Sequence, residues 1–170
     1  MGAVTPRNLV AAEIAVEPLS PGLCGRHVSA LIALICLSLA TSISAASVEY
    51  QITNGGISEP LTTRSGDAAN GRMIVANRQI GMCLLCHQAP MDEDRFQGNI
   101  STDLAGVGSR WTPAQLRLRI ANSRQLNPAS VMPAYYRTDG LTRVAASWRD
   151  KPILDAQQVE DVVAWLASLK

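Results

Sequence analysis

Cys83, Cys86 and His87 fall within five consecutive positions, Cys83-Leu84-Leu85-Cys86-His87. On a helix the offsets i, i+3 and i+4 share one face, so two thiols and one imidazole converge. This C-x-x-C-H spacing is the attachment pattern for a c-type haem. Two sulfurs reach the vinyl groups on one porphyrin edge as thioethers, and the adjacent imidazole reaches the iron. Three other chemistries fit less well. A structural zinc site needs four N or S ligands, more than this cluster offers. A thioredoxin-like dithiol sits near a βαβ pattern, which the chain lacks, and a plain disulfide leaves His87 unexplained. The motif therefore predicts one covalently attached haem c, with His87 as an axial ligand of the iron.

The second axial ligand must come from elsewhere, and a Met/His pair is the usual cytochrome c arrangement. Met73 and Met82 precede or adjoin the motif, on the wrong side of the ring, and Met91 is four residues past His87, too near to cross the porphyrin. Met132 remains, in Asn127-Pro128-Ala129-Ser130-Val131-Met132-Pro133, where both prolines limit backbone freedom. A stiff loop can hold a thioether at the iron; the alternative is a packing methionine in the core.

The remaining cysteines and histidine, Cys24, Cys36 and His27, lie in a leader. From Val28 to Ala40 the chain is free of charge for 13 residues, preceded by Arg26-His27 and followed by Thr41-Ser42-Ile43-Ser44-Ala45-Ala46-Ser47. A transmembrane helix needs roughly 20 residues, whereas a basic flank, a short apolar run and small residues make a secretory signal. Residues 1–46 are expected to be a cleaved signal peptide directing the protein to the periplasm, with no permanent membrane anchor; an uncleaved anchor extended through Ile43 is the competing reading. Glu13 and Glu17 make the flank unusually acidic, which would follow if the true start lay downstream of Met1. Residues 47–65 then form an N-terminal extension and 66–170 the haem domain.

The composition agrees with one modest domain. Fifteen Lys and Arg stand against 14 Asp and Glu, a formal net charge of +1 with no basic run. That excludes the electrostatic footprint of a nucleic-acid binder. Only 3 Trp, 3 Tyr and 1 Phe are available to fill a core, which suits a protein built around a large apolar cofactor.

Three helices must position the site. Asp67 is placed to cap a helix running to Asn77, in which Gly71 costs about 1 kcal/mol against Ala unless a close crossing needs it. Thr112, Pro113 and Gln115 announce a second helix, with Leu116 and Ile120 inward and Arg117, Arg119 and Arg124 toward water. Asp155 and Gln158 open a third, with Val159, Val162, Leu166 and Leu169 on one face and Trp165 expected over Gly71. Between them the turn-rich stretch 97–108 must wrap the proximal side of the haem. Arg110 and Trp111 are candidate donors to the haem propionates; for Arg110 a plain surface position is the alternative. No strand alternation is evident.

In this order the chain resembles class I cytochromes c, an all-α fold of helices and loops wrapped around one covalent haem. At finer grain it is similar to the SoxX family, the small monohaem subunits of SoxAX complexes in bacterial sulfur oxidation. The matching residues include Gly71-Arg72, Cys83 to His87, Phe96-Gln97-Gly98-Asn99, Asp103 to Gly108, Asn127-Pro128, Met132 to Arg137, Asp139 to Val144, Lys151 to Leu154 and Val159 to Leu166. The stretch from Met132 to Val144 narrows the resemblance beyond cytochrome c in general. One departure is Thr102, where such cytochromes usually carry a proline whose carbonyl orients the proximal histidine.

The resemblance implies an electron-accepting subunit in a heterodimer with the SoxA cytochrome subunit. The complex oxidatively couples thiosulfate to a cysteine of the SoxYZ carrier, as an L-cysteine S-thiosulfotransferase. Bond formation is assigned to the haem of SoxA, and electrons leave to a small cytochrome c; no residue of this chain is expected to be catalytic. A free periplasmic electron carrier is the rival function, and a ligand-binding or peroxidase-like haem, which requires an open distal position, is a third. Residues 137–154 are longer than a minimal connection between the ligand loop and the last helix. Tyr135, Tyr136, Leu141, Val144 and Trp148 are expected to help form the face that docks SoxA, or else to shield the haem locally.

Overall fold

In a computed structural model, residues 49–170 are described; the expected signal peptide, its cleavage point and Cys24, His27 and Cys36 lie outside them. Two strands, β1 (Ile52–Thr53) and β2 (Gly56–Ile57), make a hairpin paired antiparallel with Ile52 opposite Ile57. The helices are α1 (Ala68–Ala76), α2 (Val107–Arg110), α3 (Pro113–Asn122) and α4 (Ala156–Ser168). Among the described residues no helix is long and apolar enough to cross a membrane.

The helix ends follow their capping residues. The Asp67 carboxylate accepts from the N–H groups of Ala69 and Asn70. Thr112 with Gln115, and Asp155 with Gln158, close complete capping boxes at α3 and α4. These bonds satisfy donors that have no partner inside the helix.

α1 and α4 cross at close range, and Gly71 is the reason they can. A Cβ at Gly71 would overlap the carbonyl of Asp161 on α4. The partner at the crossing is thus α4 backbone, not the Trp165 ring expected from the sequence; Trp165 is buried elsewhere in the core. Asp161, 2% exposed, ties the two helices from the other side. Its carboxylate accepts from the Asp67 N–H at 2.8 Å, Asn70 Nδ2 at 2.6 Å and Gln157 Nε2 at 2.7 Å. Burial alone would raise its pKa, but these three donors outweigh it and hold the carboxyl below its ordinary value. Gly71→Ala gains about 1 kcal/mol of helix propensity but forces backbone apart, so a net loss of about 1–3 kcal/mol is expected. Denaturant unfolding of the haem-loaded protein checks this; an unchanged midpoint would show that the crossing is looser.

The hairpin is joined to the same core. Ile57 is fully buried and Leu61 nearly so. Asn54 and Gly55 both have positive φ, 51° and 71°, the pair of left-handed residues that a tight two-residue hairpin turn requires.

A charged side chain departs from its expected place. Arg117 does not face water: it is 5% exposed. Its Nε and Nη2 grip the two carboxylate oxygens of Glu160 at 2.7 and 2.8 Å, and its Nη1 donates to the Ile57 carbonyl at 2.6 Å. Glu160 in turn accepts from the Leu61 N–H at 2.8 Å. A guanidinium fork is satisfied by this bidentate geometry without water, so the charge can lie between α3, α4 and the N-terminal segment.

Candidate functional site

The motif residues occupy a single tight turn rather than a length of α-helix. Cys83–Leu85 is a 3₁₀ turn, and the Cys83 carbonyl accepts from both Cys86 N, at 3.1 Å, and His87 N, at 2.9 Å. That one turn keeps the two cysteines and the histidine within five positions of one another, with Cys83 and His87 lining a common cavity. Met82 enters it with φ 58°, left-handed and uncommon for a long side chain. Its N–H is held by the Asn77 carbonyl at 3.0 Å.

A narrow, almost wholly apolar cavity lies beside this turn. Cys83, His87, Met132 and Tyr135 line it together with Val75, Leu104, Ile120, Leu154, Val162 and Leu166. α1, α3, α4 and both loops therefore each contribute to its wall. Cys86 is half-buried and stands outside the lining. Neither Cys83 nor Cys86 is in a disulfide. Burial pushes the Cys83 thiol up to about 11, so it stays protonated until it reacts. Its sulfur and the Tyr135 hydroxyl both donate to the Gly81 carbonyl, at 3.3 and 2.5 Å. Burial likewise raises the Tyr135 pKa, keeping the phenol neutral.

The imidazole has a fixed tautomer. His87 Nδ1 lies 2.6 Å from the Thr102 carbonyl oxygen. A carbonyl can only accept, so Nδ1 carries the proton and Nε2 keeps a lone pair for a metal. The proline expected at this position is not needed, because the backbone carbonyl makes the contact whatever the side chain. The loop that delivers Thr102 is laced to the motif turn: Gly98 N to Leu84 O at 2.8 Å, Ser101 N to Cys86 O at 3.0 Å, and Leu104 N to Gln88 O at 2.9 Å. Gln97 adds three bonds, accepting from Ala89 N and donating to the carbonyls of Met91 and Asp94.

Of the methionines among the described residues, Met132 alone lines the cavity. Met91 is 1% exposed in the core and Met73 62% exposed in solvent. The Met132 loop is pinned to the end of α3. The Ser123 hydroxyl donates to the Met132 carbonyl at 3.0 Å, and the N–H groups of Tyr135 and Tyr136 bond the carbonyls of Ile120 and Ala121, each at 3.1 Å. The Leu154 N–H then bonds the Tyr135 carbonyl at 3.0 Å.

Arg110 and Trp111 do not line the cavity. The Arg110 fork clasps the proximal loop through the carbonyls of Ala105 and Asp103, at 2.7 and 2.8 Å. Trp111 is exposed under the Arg119 guanidinium, 3.5 Å from its ring centre, a cation–π pair. Tyr135 and Tyr136 are 4% and 3% exposed and cannot form an outer face. Tyr135 lines the cavity instead, and the Tyr136 ring packs against Tyr50.

The residues present fit a covalent haem. Two thiols stand one turn apart, an imidazole offers an Nε2 lone pair, and a thioether enters from a second loop into an apolar enclosure with few competing polar groups.

A family model described as Cytochrome c matches residues 68–170. No curated protein matches the chain. Among solved structures, the crystal structure of SoxXA from P. pantotrophus is similar, with a TM-score of 0.66 and 38% sequence identity, covering 72% of this chain and 95% of that chain.

Proposed function

This chain belongs to the cytochrome c family, as an all-α class I cytochrome of the SoxX type carrying a covalent haem c, and from that premise we propose that it is the electron-accepting subunit of a SoxAX-type complex. Cys83 and Cys86 would form the thioethers to the haem, and His87 and Met132 would ligate its iron. The partner is a SoxA-type cytochrome, and the assembly couples thiosulfate oxidatively to a cysteine of a SoxYZ-type carrier in the periplasm. Electrons then pass to a small cytochrome c. When bound, haem c supplies a one-electron ferric/ferrous couple.

One observation carries this reading: His87, its tautomer set by Thr102, and Met132 line the same apolar cavity. If His87 and Met132 both ligate the haem iron, no position would be left there for thiosulfate. The bond-forming chemistry is then assigned to the partner, and this chain's His87 and Met132 would hold the haem for electron transfer alone. The Ser123 bond and the α3 backbone bonds tie the Met132 loop to α3, and an apolar wall lines the cavity, both of which would limit reorganisation on electron transfer.

The test is a gentle purification of the native protein from cells grown on thiosulfate. A second haem subunit co-eluting in equal amount, with haem reduction that depends on thiosulfate and carrier together, supports the reading. A lone haem protein reduced by neither would favour the free carrier.

Thr102→Ala is expected to leave both the visible spectrum and the reduction potential at the parent values, since the orienting acceptor is a main-chain oxygen. A shifted potential under spectroelectrochemical titration would mean that the Thr102 side chain sets the loop.

A further inference from the structure

Between the Met132 loop and the strap that runs from Arg137 to Ile153 lies an open groove outside the haem cavity. Leu141, Val144 and Trp148 form its apolar surface, with Leu141 47% and Trp148 53% exposed. Of the residues from 137 to 154, Leu154 alone reaches the cavity wall. The apolar residues of the strap line this groove and not the wall of the cavity beside Cys83 and His87.

The groove also has a sign. Arg124, Arg137 and Lys151 line it, and no Asp or Glu does. Arg137 is loosely paired with Asp139 at 3.5 Å, and the Asp139 side chain is 85% exposed. Lys151 donates to the Ser147 carbonyl, and Arg124 makes no ion pair among the described residues. Asp150 is exposed on the same strap and outside the lining. Pro133 and Ala134, which directly follow Met132, form the near wall, so whatever seats here sits one residue from the proposed sixth ligand.

We infer that this groove docks the haem-bearing partner subunit through an acidic rim on the partner surrounding an apolar side chain that seats against Leu141 and Trp148. The inference rests on the function proposed above and specifies its interface. The cations complement an acidic rim and set orientation and encounter rate, while the exposed indole supplies the kind of aromatic anchor that dominates binding energy. Docking here places the electron's path across Pro133 and Ala134 toward Met132.

The experiment co-expresses the haem-loaded full chain with a SoxA-type subunit and measures complex formation by analytical ultracentrifugation at 50 and 500 mM NaCl. Parent affinity is expected to fall on the order of tenfold across that range as screening shortens. Reversing Arg124, Arg137 and Lys151 together to Glu should weaken the complex by roughly 100-fold at low salt, with the haem spectrum and unfolding midpoint at parent values. Leu141→Ser with Trp148→Ser should cost about 30-fold with the salt dependence retained. Conversion of the three cations among Lys and Arg should keep binding.

Charge reversal that leaves affinity and salt dependence unchanged would overturn the inference while leaving the proposed function standing. If reversal slows oxidation by a small cytochrome c but leaves the subunit complex intact, the groove belongs to the transient acceptor and the inference fails. A parent chain that never binds the subunit would overturn the function and the inference together.

Discussion

Met132→Ala is expected to open the sixth position of the haem iron. The reduced variant should bind carbon monoxide readily, the parent should not, and the potential should drop by on the order of 100 mV, within the ~0.8 V range over which axial ligands set haem potentials. The direction follows from the ligand: a thioether favours ferrous iron and raises the potential, and water in its place does not. The other methionines give the control. Met73, largely exposed, should be silent on replacement. Met91, buried at 1%, should lose about 2–5 kcal/mol of stability on truncation to Ala with no new carbon monoxide binding. Carbon monoxide binding and redox titration separate these outcomes; a parent that already binds the gas would mean that the sixth ligand is not Met132.

The second large effect concerns the buried ion pair. Glu160→Ala strands the Arg117 guanidinium at 5% exposure and removes the acceptor of the Leu61 N–H. Losing one member of such a pair costs about 3–5 kcal/mol, mostly as an uncompensated buried charge. The segment from β1 to Leu61 should loosen with it and become a site of proteolysis, because Glu160 and Arg117 both hold its backbone. The double replacement Arg117→Met with Glu160→Leu should lose distinctly less than the two single variants added together. The remaining deficit comes from the Leu61 N–H and Ile57 carbonyl, left without partners at about 1–3 kcal/mol each. Urea unfolding followed by far-ultraviolet circular dichroism measures these losses. A single-variant loss below about 1 kcal/mol would mean that solvent reaches the pair.

Three of the four helices were legible because their signals are local; α2, which follows Gly106 without a side-chain cap, carried no such signal. A capping carboxylate, a proline at the first helical position and a Gln three residues after the cap act within one turn, and all three helix starts follow them. The hairpin was missed although it also carries a local signal. Asn54-Gly55 is the dipeptide that favours two consecutive left-handed residues, but strands of two residues are too short to show alternation. The outward assignment of Arg117 failed for a different reason. Helical spacing ranks faces by apolar content, and nothing near Arg117 in the chain announces Glu160 43 positions away. Nothing local marks Tyr135 and Tyr136 as buried, because their burial depends on backbone pairing with α3.

The residues of the site divide along the same line. The chain by itself determined the haem, since C-x-x-C-H is a spacing of five positions whose chemistry needs little tertiary context. It also singled out Met132 by elimination among four methionines, and Gly71 as a point of close approach. Only the folded chain decided what meets Gly71, namely the Asp161 backbone instead of the Trp165 ring, and what orients His87, namely a main-chain oxygen that any residue at position 102 would present. It also decided that the cations beside Met132 line an open groove while Arg117 is buried and paired. Covalent attachment and capping are set by residue type at short separation, whereas burial, tautomer and the sign of a surface depend on partners that only the tertiary fold brings together.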